Sequence, residues 1–266
     1  METKYLTSNL FEISNSNILI YNLLRFYSYL KNKNDSLAFS LCSAGADWSQ
    51  VRGVSEINAA AENGSMRAKE NNKEYFNQMI IGLILGDGTL VRKYEKGNTY
   101  FQYAQSLIHM AYIHHVFNIF VNSNYCNITK LDVKEIIVKG NMYKYLSFST
   151  KSLQEFNRLH SLFYINRKKI VPIEIENLLT PIGLAYWIMD DGSRVNTGFH
   201  LNTNGFERTH VEILTNVLFN KFNLNCSIQS RNRIYILKNS IPQLISIIEP
   251  YIIPSMSYKI KPTQIN

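Results

Sequence analysis

Two aspartates stand where they could hold a metal ion. Two short, almost wholly apolar segments, residues 80–86 and 182–189, lead to Asp87 directly and to Asp191 after one further aspartate, and glycine follows both. Glycine after the last turn is a common helix stop, so both segments are predicted to be helices that end at a carboxylate. A carboxylate at the negative end of a helix dipole is unfavourable by itself. Two such ends placed side by side would form a hard-oxygen site suited to Mg²⁺.

The apolar segments also predict how the two helices are placed. A helix that is apolar on every side must be buried. In the first segment Gly82 and Gly86 lie four residues apart on one face, and each glycine costs about 1 kcal/mol relative to alanine in a helix. That cost is best explained if the backbone of another helix packs against the same face.

A second repeat supplies two lysines. Lys169 opens the segment Lys169-Ile170-Val171-Pro172, and Lys259 opens Lys259-Ile260-Lys261-Pro262. The two lysines are 90 residues apart and the two aspartates 104, so the copies differ in loop length but not in order. One aspartate and one lysine therefore belong to each half of a duplicated chain.

Two of these four residues stand beside a residue of the same type that could take the same role. Asp190 precedes Asp191, and Lys168 precedes Lys169. Adjacent helical residues point about 100° apart, so only one aspartate should face the partner helix. The alignment with Asp87 selects Asp191 for that position, and the alignment with Lys259 selects Lys169. The alternative for Asp87 and Asp191 is helix capping or turn formation with the glycines that follow.

The pattern of apolar residues predicts the elements that position these groups. The first half reads as helix 76–86, strands near 89–93 and 98–105, helix 107–122, a hairpin of 128–138 and 141–149 turning at Gly140-Asn141, and helix 151–163. The second half reads as helix 181–190, strands within 193–203, helix 207–222, a hairpin of 225–230 and 233–238, and helix 239–249. The prediction is an α+β fold, αββαββα twice, with two antiparallel sheets. Its parts are an N-terminal arm, 1–75, and two halves, 76–172 and 173–266.

Charge and composition narrow the class of partner. Residues 1–75 carry eight basic and eight acidic side chains, so the whole net charge of +8 lies between 76 and 266. A basic domain rich in tyrosine favours a polyanion, nucleic acid first; on charge alone, a basic domain that is merely soluble is equally compatible. The three cysteines, Cys42, Cys126 and Cys226, are far apart, so a disulfide framework or a zinc site is not expected. The apolar stretch 18–27 is too short and too polar to span a bilayer.

The residues around the aspartates resemble a known family. With the flanking runs LAYWIMDDG and PYIIPSMSYK, residues 75–262 are similar to the two-motif, single-chain LAGLIDADG homing endonucleases. Tyr186 and Asp190 stand where that family usually has small residues. The resemblance implies a monomer that binds double-stranded DNA, uses Mg²⁺ held by Asp87 and Asp191, and leaves short 3′ overhangs. Lys169 and Lys259 would then polarise the attacking water or stabilise the charge that develops on the phosphate.

Within such a fold, the strands should contact the nucleic acid. In the second hairpin one face is predicted to carry Ser227, Gln229, Arg231, Arg233 and Tyr235, while Cys226, Ile228, Ile234 and Ile236 share the other. In the first half a similar polar face is formed by Lys130, Asp132, Lys134, Tyr143, Tyr145 and Ser147. Arginine and glutamine are side chains that read base edges in the major groove. A strand pair with one solvated face is the alternative, since antiparallel sheets commonly have one.

Three functions are compatible with these features. The first is a site-specific DNA endonuclease that spreads its own intron, and the second is an RNA maturase that binds the intron transcript and assists splicing. A DNA-binding regulator without catalysis is the third. Retention of both aspartates and both lysines favours the nuclease. The abundance of Asn, Ile, Lys, Tyr and Phe fits an AT-rich mitochondrial gene, and residues 1–75 would be inherited leader sequence that the nuclease does not need.

Overall fold

The computed structural model describes residues 72–128, 130–195 and 198–261. All of them belong to one compact unit, Ser65–Asn266, in which the two halves of the sequence repeat are packed together. The predicted N-terminal arm lies almost wholly outside the described residues, as does Cys42.

The elements of the first half follow the predicted order. They are helix α1 (residues 72–85), strands β1 (Thr89–Val91) and β2 (Tyr100–Ser106), helix α2 (Met110–Asn122), strands β3 (Val133–Val138) and β4 (Asn141–Ser149), and helix α3 (Glu155–Phe163). A short hairpin of β5 (Tyr164–Ile165) and β6 (Lys168–Lys169), which the sequence pattern did not predict, closes this half.

The second half repeats this order after a short helix. Its elements are helices α4 (Ile175–Leu178) and α5 (Pro181–Asp191), strands β7 (Gly192–Val195) and β8 (Gly198–Leu201), helix α6 (Arg208–Phe222), strands β9 (Cys226–Ile228) and β10 (Ile234–Leu237), and helix α7 (Ile241–Ile248). The first sheet has the order β1-β2-β4-β3 and the second β7-β8-β10-β9. Every pairing in both is antiparallel. The predicted α+β class, with two antiparallel sheets, is confirmed.

Alternation along the strands explains which face of each sheet is buried. In β2, Phe101 and Tyr103 are buried whereas Gln102 and Ala104 are exposed, the period of two that a half-buried strand requires. The turn between β3 and β4 lies one residue earlier than predicted: Lys139 and Gly140 have φ of 50° and 81°, and Asn141 already pairs with Val138. Positive φ at both central residues is typical of a tight two-residue hairpin turn.

The two apolar helices lie in contact, as the glycines predicted. A β-carbon built on Gly82 would lie 2.0 Å from the carbonyl oxygen of Gly183 and 3.0 Å from the backbone nitrogen of Trp187. At Gly86 the contact is with a side chain, because a β-carbon there would lie 2.5 Å from Oδ2 of Asp190. The start of α5 is fixed by Thr180, whose hydroxyl accepts a hydrogen bond from the Gly183 N–H, and by proline at the first turn, where its missing N–H does no harm.

Two of the three cysteines lie among the described residues. Cys126 is buried and Cys226 partly buried, and both are free thiols. Within the described ranges, no helix combines the length and the apolarity that crossing a membrane would require.

Candidate active site

The C-terminal ends of α1 and α5 meet, and Asp87 lies at this junction. The backbone N–H of Asp87 donates a hydrogen bond of 3.1 Å to Oδ2 of Asp190, the penultimate residue of α5. The Asp87 side chain is exposed, and its Oδ2 accepts a hydrogen bond of 2.6 Å from Nε2 of Gln105. One carboxylate is therefore directed to solvent at the seam between the two halves.

Asp191 lies in the same electrostatic environment. Burial and, next, the charge of Asp87 raise the pKa of Asp191 to about 7, while the charges of Lys169 and Lys259 act in the opposite direction. Because interactions between charges weaken with distance, Asp87, Lys169 and Lys259 lie near the Asp191 carboxyl. The four predicted catalytic residues are thus brought together at one place.

The two lysines bind the two helix ends in equivalent ways. Nζ of Lys169 donates to the carbonyl oxygens of Gly86, at 3.1 Å, and Gly88, at 2.8 Å. Nζ of Lys259 donates to those of Asp190, at 3.1 Å, and Gly192, at 2.9 Å. These carbonyls are matched pairs, each 104 residues apart. The equivalence supports the choice of Lys169 over Lys168 and shows what both lysines do in the folded chain: they neutralise the negative ends of two helix dipoles.

The lysines also differ in one contact. Lys169 has a third acceptor, the carbonyl of Ile84 at 2.8 Å, which is available because the Gly88 N–H bonds to Leu83 instead. In α5 the matching carbonyl, that of Ile188, is taken by the N–H of Gly192. Burial lowers the pKa of both ammonium groups, and the nearby carboxylates partly reverse this. All three donors of Lys169 are therefore used, against two of Lys259 among the described contacts.

Asp190 lies against the partner helix α1, at the position predicted for Asp191. Asp190 is 9% exposed and its carboxylate packs against α1, so the expectation that only Asp191 faces the partner helix is wrong. The reason is that Gly86, its counterpart in α1, has no side chain and leaves room for a carboxylate. Burial first, and then the charge of Asp87, raises the pKa of Asp190, whereas hydrogen bonds from Tyr103 and Tyr112 lower it.

Three further residues of the site were missed. Oε1 of Gln105 lies 3.0 Å from Nδ1 of His109, and Nε2 of the same ring lies 3.0 Å from the hydroxyl of Tyr258. A glutamine oxygen only accepts, so Nδ1 carries a proton. Burial lowers the pKa of His109 and so favours the neutral ring, in which Nε2 accepts from the hydroxyl of Tyr258. This chain of contacts joins Asp87 to the segment that carries Lys259. Gln105 could have been identified from the sequence, because it is a polar residue at a position of β2 where the alternation predicts a buried side chain.

The open face of the first sheet adjoins Asp87. Lys134 pairs with Tyr145, and Ala104 with Ser147, so these side chains share one face, on which Tyr143 also lies. A hollow of about 390 Å³ on this face is lined by Asp87, Thr89, Gln102, Lys134, Tyr145 and Ser147, among others. Lys130 and Asp132 precede β3 and form an exposed ion pair of 3.6 Å.

The second sheet confirms the predicted separation of its faces. Ser227 pairs with Tyr235 on one face, whereas Cys226 and Ile228 pair with Ile236 and Ile234 on the other. The pairing extends to Gln229, whose N–H donates to the carbonyl of Arg233. Arg231 lies in the turn between them, in the left-handed region with φ of 59°. His200, which was not predicted, joins the open face by pairing with Tyr235 and bonding to Oε1 of Gln229 at 3.1 Å.

The donor set fits a magnesium ion. Among the described residues no group of three or more His, Cys, Asp or Glu side chains converges. Mg²⁺ needs less, because it is commonly held by one or two carboxylates together with water and substrate phosphates. Asp87 and Asp191 are such carboxylates. Burial and, next, the charge of Asp87 raise the pKa of Asp191, and a bound cation would oppose both effects.

The chain is similar to a known protein family, to individual proteins and to a solved structure. Residues 77–244 match the LAGLIDADG DNA endonuclease family. The cytochrome b mRNA maturase bI2 of Saccharomyces cerevisiae is 35% identical over 195 residues, 68% of this chain but only 46% of that protein. Intron-encoded endonuclease ai4 of Dictyostelium discoideum is 34% identical over 158 residues, 54% of this chain and 98% of that protein. The structure of the homing endonuclease I-WcaI bound to its DNA recognition sequence is similar with a TM-score of 0.66 and 31% identity, covering 74% of this chain and 92% of that one.

Proposed function

Because the chain belongs to the LAGLIDADG DNA endonuclease family, we propose that it is a site-specific homing endonuclease that cuts both strands of a long, asymmetric DNA site and leaves short 3′ overhangs. The observation that carries the proposal is the pair of adjacent helix ends, each with its own aspartate and its own lysine. Two strands require two cuts, and both sets of groups belong to one chain. The enzyme would therefore act as a monomer.

The residues at the helix ends have separate tasks in this proposal. Asp87 and Asp191 would hold Mg²⁺, and the ion would supply activation of water and neutralisation of the leaving oxygen. Gln105 orients the Asp87 carboxylate through its 2.6 Å hydrogen bond. Lys169 and Lys259 bind the carbonyls of both helix ends, and their charges would stabilise the negative charge that develops during cleavage. Lys259, with two carbonyl partners among the described contacts, would use its third donor for a water or a phosphate.

The open faces of the two sheets would bind the DNA. The predicted contact residues are Lys130, Lys134, Tyr143 and Tyr145 in the first half and Ser227, Gln229, Arg231, Arg233 and Tyr235 in the second. The hollow that joins Asp87 to Lys134 and Ser147 supports a continuous path from the cutting site to the face that reads bases. The excess of positive charge in this part of the chain favours a phosphate backbone as the partner.

The name of the yeast relative, a maturase of cytochrome b mRNA, supports an intron of a mitochondrial gene as the origin of the chain. The proposal is tested with the full chain, Mg²⁺ and a linear duplex containing the insertion site without its intron. A duplex that contains the intron is the control. Cutting of the intronless duplex alone is expected, and no cutting of either would contradict the nuclease.

A second function is favoured by a specific observation. Relatives from two yeasts, Saccharomyces cerevisiae and Debaryomyces hansenii, carry the name cytochrome b mRNA maturase and are each 35% identical to this chain. The same protein could therefore assist splicing of its own intron. Tight binding to the intron RNA, together with faster splicing in vitro and no cutting of the intronless duplex, would replace the nuclease by the maturase.

A further inference from the structure

Asp190 is a buried carboxylate whose contacts all lead into the other half of the chain. Its Oδ1 accepts hydrogen bonds from the hydroxyls of Tyr103, at 2.6 Å, and Tyr112, at 2.8 Å. Nε2 of Gln105 lies 3.4 Å from the same oxygen. The other oxygen, Oδ2, accepts from the backbone N–H of Asp87 at 3.1 Å. Burying a carboxylate without hydrogen-bond donors would be strongly unfavourable. The two buried phenols supply such donors and hold the carboxylate in one position.

The N–H of Asp87 depends on this acceptor. The last regular bond of α1 runs from the Gly86 N–H to the Gly82 carbonyl, at 3.0 Å. The next helical acceptor, the Leu83 carbonyl, is taken by the Gly88 N–H at 2.7 Å. The N–H of Asp87 therefore has no acceptor within α1 among these bonds, and it donates to Asp190 instead. This hydrogen bond helps to fix the backbone at Asp87.

We propose that Asp190 is a positioning residue that the second half of the chain supplies to the metal-binding carboxylate of the first half. The inference rests on the proposed function of Asp87. Gln105 orients the exposed Asp87 carboxylate, and Asp190 holds the backbone from which that side chain extends. The arrangement has no side-chain counterpart for Asp191, because the residue of α1 that corresponds to Asp190 is Gly86, which has no side chain.

The test compares three variants. Asp190→Ala removes the acceptor and puts a small residue at the helix contact. Asp190→Asn keeps an oxygen for the Asp87 N–H, while the phenols can turn to accept from the new amide. Tyr186→Phe is the matched control: it lies one turn earlier on the same face of α5 and loses hydroxyl contacts to Tyr75, at 3.0 Å, and to His115, at 2.7 Å.

Amide hydrogen exchange of Asp87, followed by NMR on the full chain, is the direct measurement. In Asp190→Ala protection of this amide should fall about tenfold to a hundredfold, the factor that corresponds to one hydrogen bond to a charged group. Protection at Leu83 and Ile84 should remain. Asp190→Asn should retain protection at Asp87, and so should Tyr186→Phe. Unchanged protection in Asp190→Ala, or equal loss along α1 in Asp190→Ala and Tyr186→Phe, would overturn the proposal.

Cleavage kinetics provide a second, independent measurement. The single-turnover rate of Asp190→Ala should fall about tenfold to a hundredfold at unchanged DNA affinity, and Asp190→Asn should restore most of it. The rate could instead fall in both Asp190→Ala and Asp190→Asn, and by no more than the fraction of each variant that is unfolded. That result would indicate a purely structural role for Asp190. Failure of the proposed function would be seen differently, as a wild-type chain that does not cut at all while the amide measurements still report on the contact.

Discussion

Gly82 and Gly183 lie backbone to backbone, so that a β-carbon on Gly82 would come within 2.0 Å of the Gly183 carbonyl oxygen. This approach brings the ends of α1 and α5 together and therefore places Asp87 beside Asp190. Two glycines, one in each half, determine the distance between the two halves at the site.

Substitution of Gly82 by alanine should consequently destabilise the chain. The added methyl group meets backbone, which cannot rotate away, so the free energy of unfolding should fall by about 3 kcal/mol, as for a severe overpacking change. Gly205→Ala is the matched control, since a β-carbon there has no neighbour within 4 Å. Urea unfolding measures both. A stable Gly82→Ala with full cleavage activity would refute the close packing of the two helices.

Loss of either carboxylate should stop cleavage without stopping binding. Asp87→Asn and Asp191→Asn each remove a proposed metal ligand while preserving size, and neither removes a phosphate contact. Cleavage should fall at least about a thousandfold, which is about 4 kcal/mol of lost transition-state stabilisation. Gel shift assays without Mg²⁺ should give an affinity within about threefold of wild type. An active single variant would exclude that aspartate as a ligand.

The two lysines should differ in how much they stabilise the fold. Lys169→Met leaves three helix-end carbonyls without their donor, whereas Lys259→Met leaves two. Each buried acceptor left without a partner costs about 1 kcal/mol or more. The melting temperature of Lys169→Met should thus lie below that of Lys259→Met, although both variants should cut slowly. The reverse order of melting temperatures would contradict the contact pattern.

Salt dependence should identify the face of the first sheet that meets DNA. Lys134 lies on the open face and donates to Ser147 at 2.8 Å, while Lys144 lies on the opposite face of the same hairpin, 3.2 Å from Glu135. Affinity should fall with salt by about 0.9 log unit per decade for each phosphate neutralised. Lys134→Ala should reduce this slope by about one unit and Lys144→Ala should not. Equal slopes in both variants would place the DNA elsewhere.

The raised pKa of Asp191 predicts how pH and Mg²⁺ act together. An acid whose folded pKa, about 7, exceeds its ordinary value of 3.8 makes the metal-free fold less stable as pH rises between those values, because the folded state binds the proton more tightly. Asp190 acts in the same direction. Mg²⁺ requires the ionised form, so its stabilising effect on the melting temperature should be larger at about pH 8 than at about pH 6. Asp191→Asn should remove most of this difference, and a Mg²⁺ effect independent of pH would contradict the assignment.

Much of the architecture could be predicted because it is set by local pattern. Alternation along β9 and β10 separated Ser227 and Tyr235 from Ile234 and Ile236, and the observed pairing has the same two faces. The repeated Lys-Ile-x-Pro segment identified Lys169 and Lys259 because duplication preserves order. Both inferences depend on periodicity and sequence order, which do not require knowledge of contacts.

The choice between Asp190 and Asp191 required the tertiary structure. The sequence determined that two helices end in aspartate and that Gly82 and Gly86 invite a partner. Alignment with Asp87 then favoured Asp191 as the residue facing that partner. Which side chain fills the space beside Gly86 is set by the rotation and axial offset of α5 against α1, and these follow from the contact at Gly183. Only packing across the interface could therefore show that Asp190 is buried there, bound by Tyr103, Tyr112 and the backbone of Asp87.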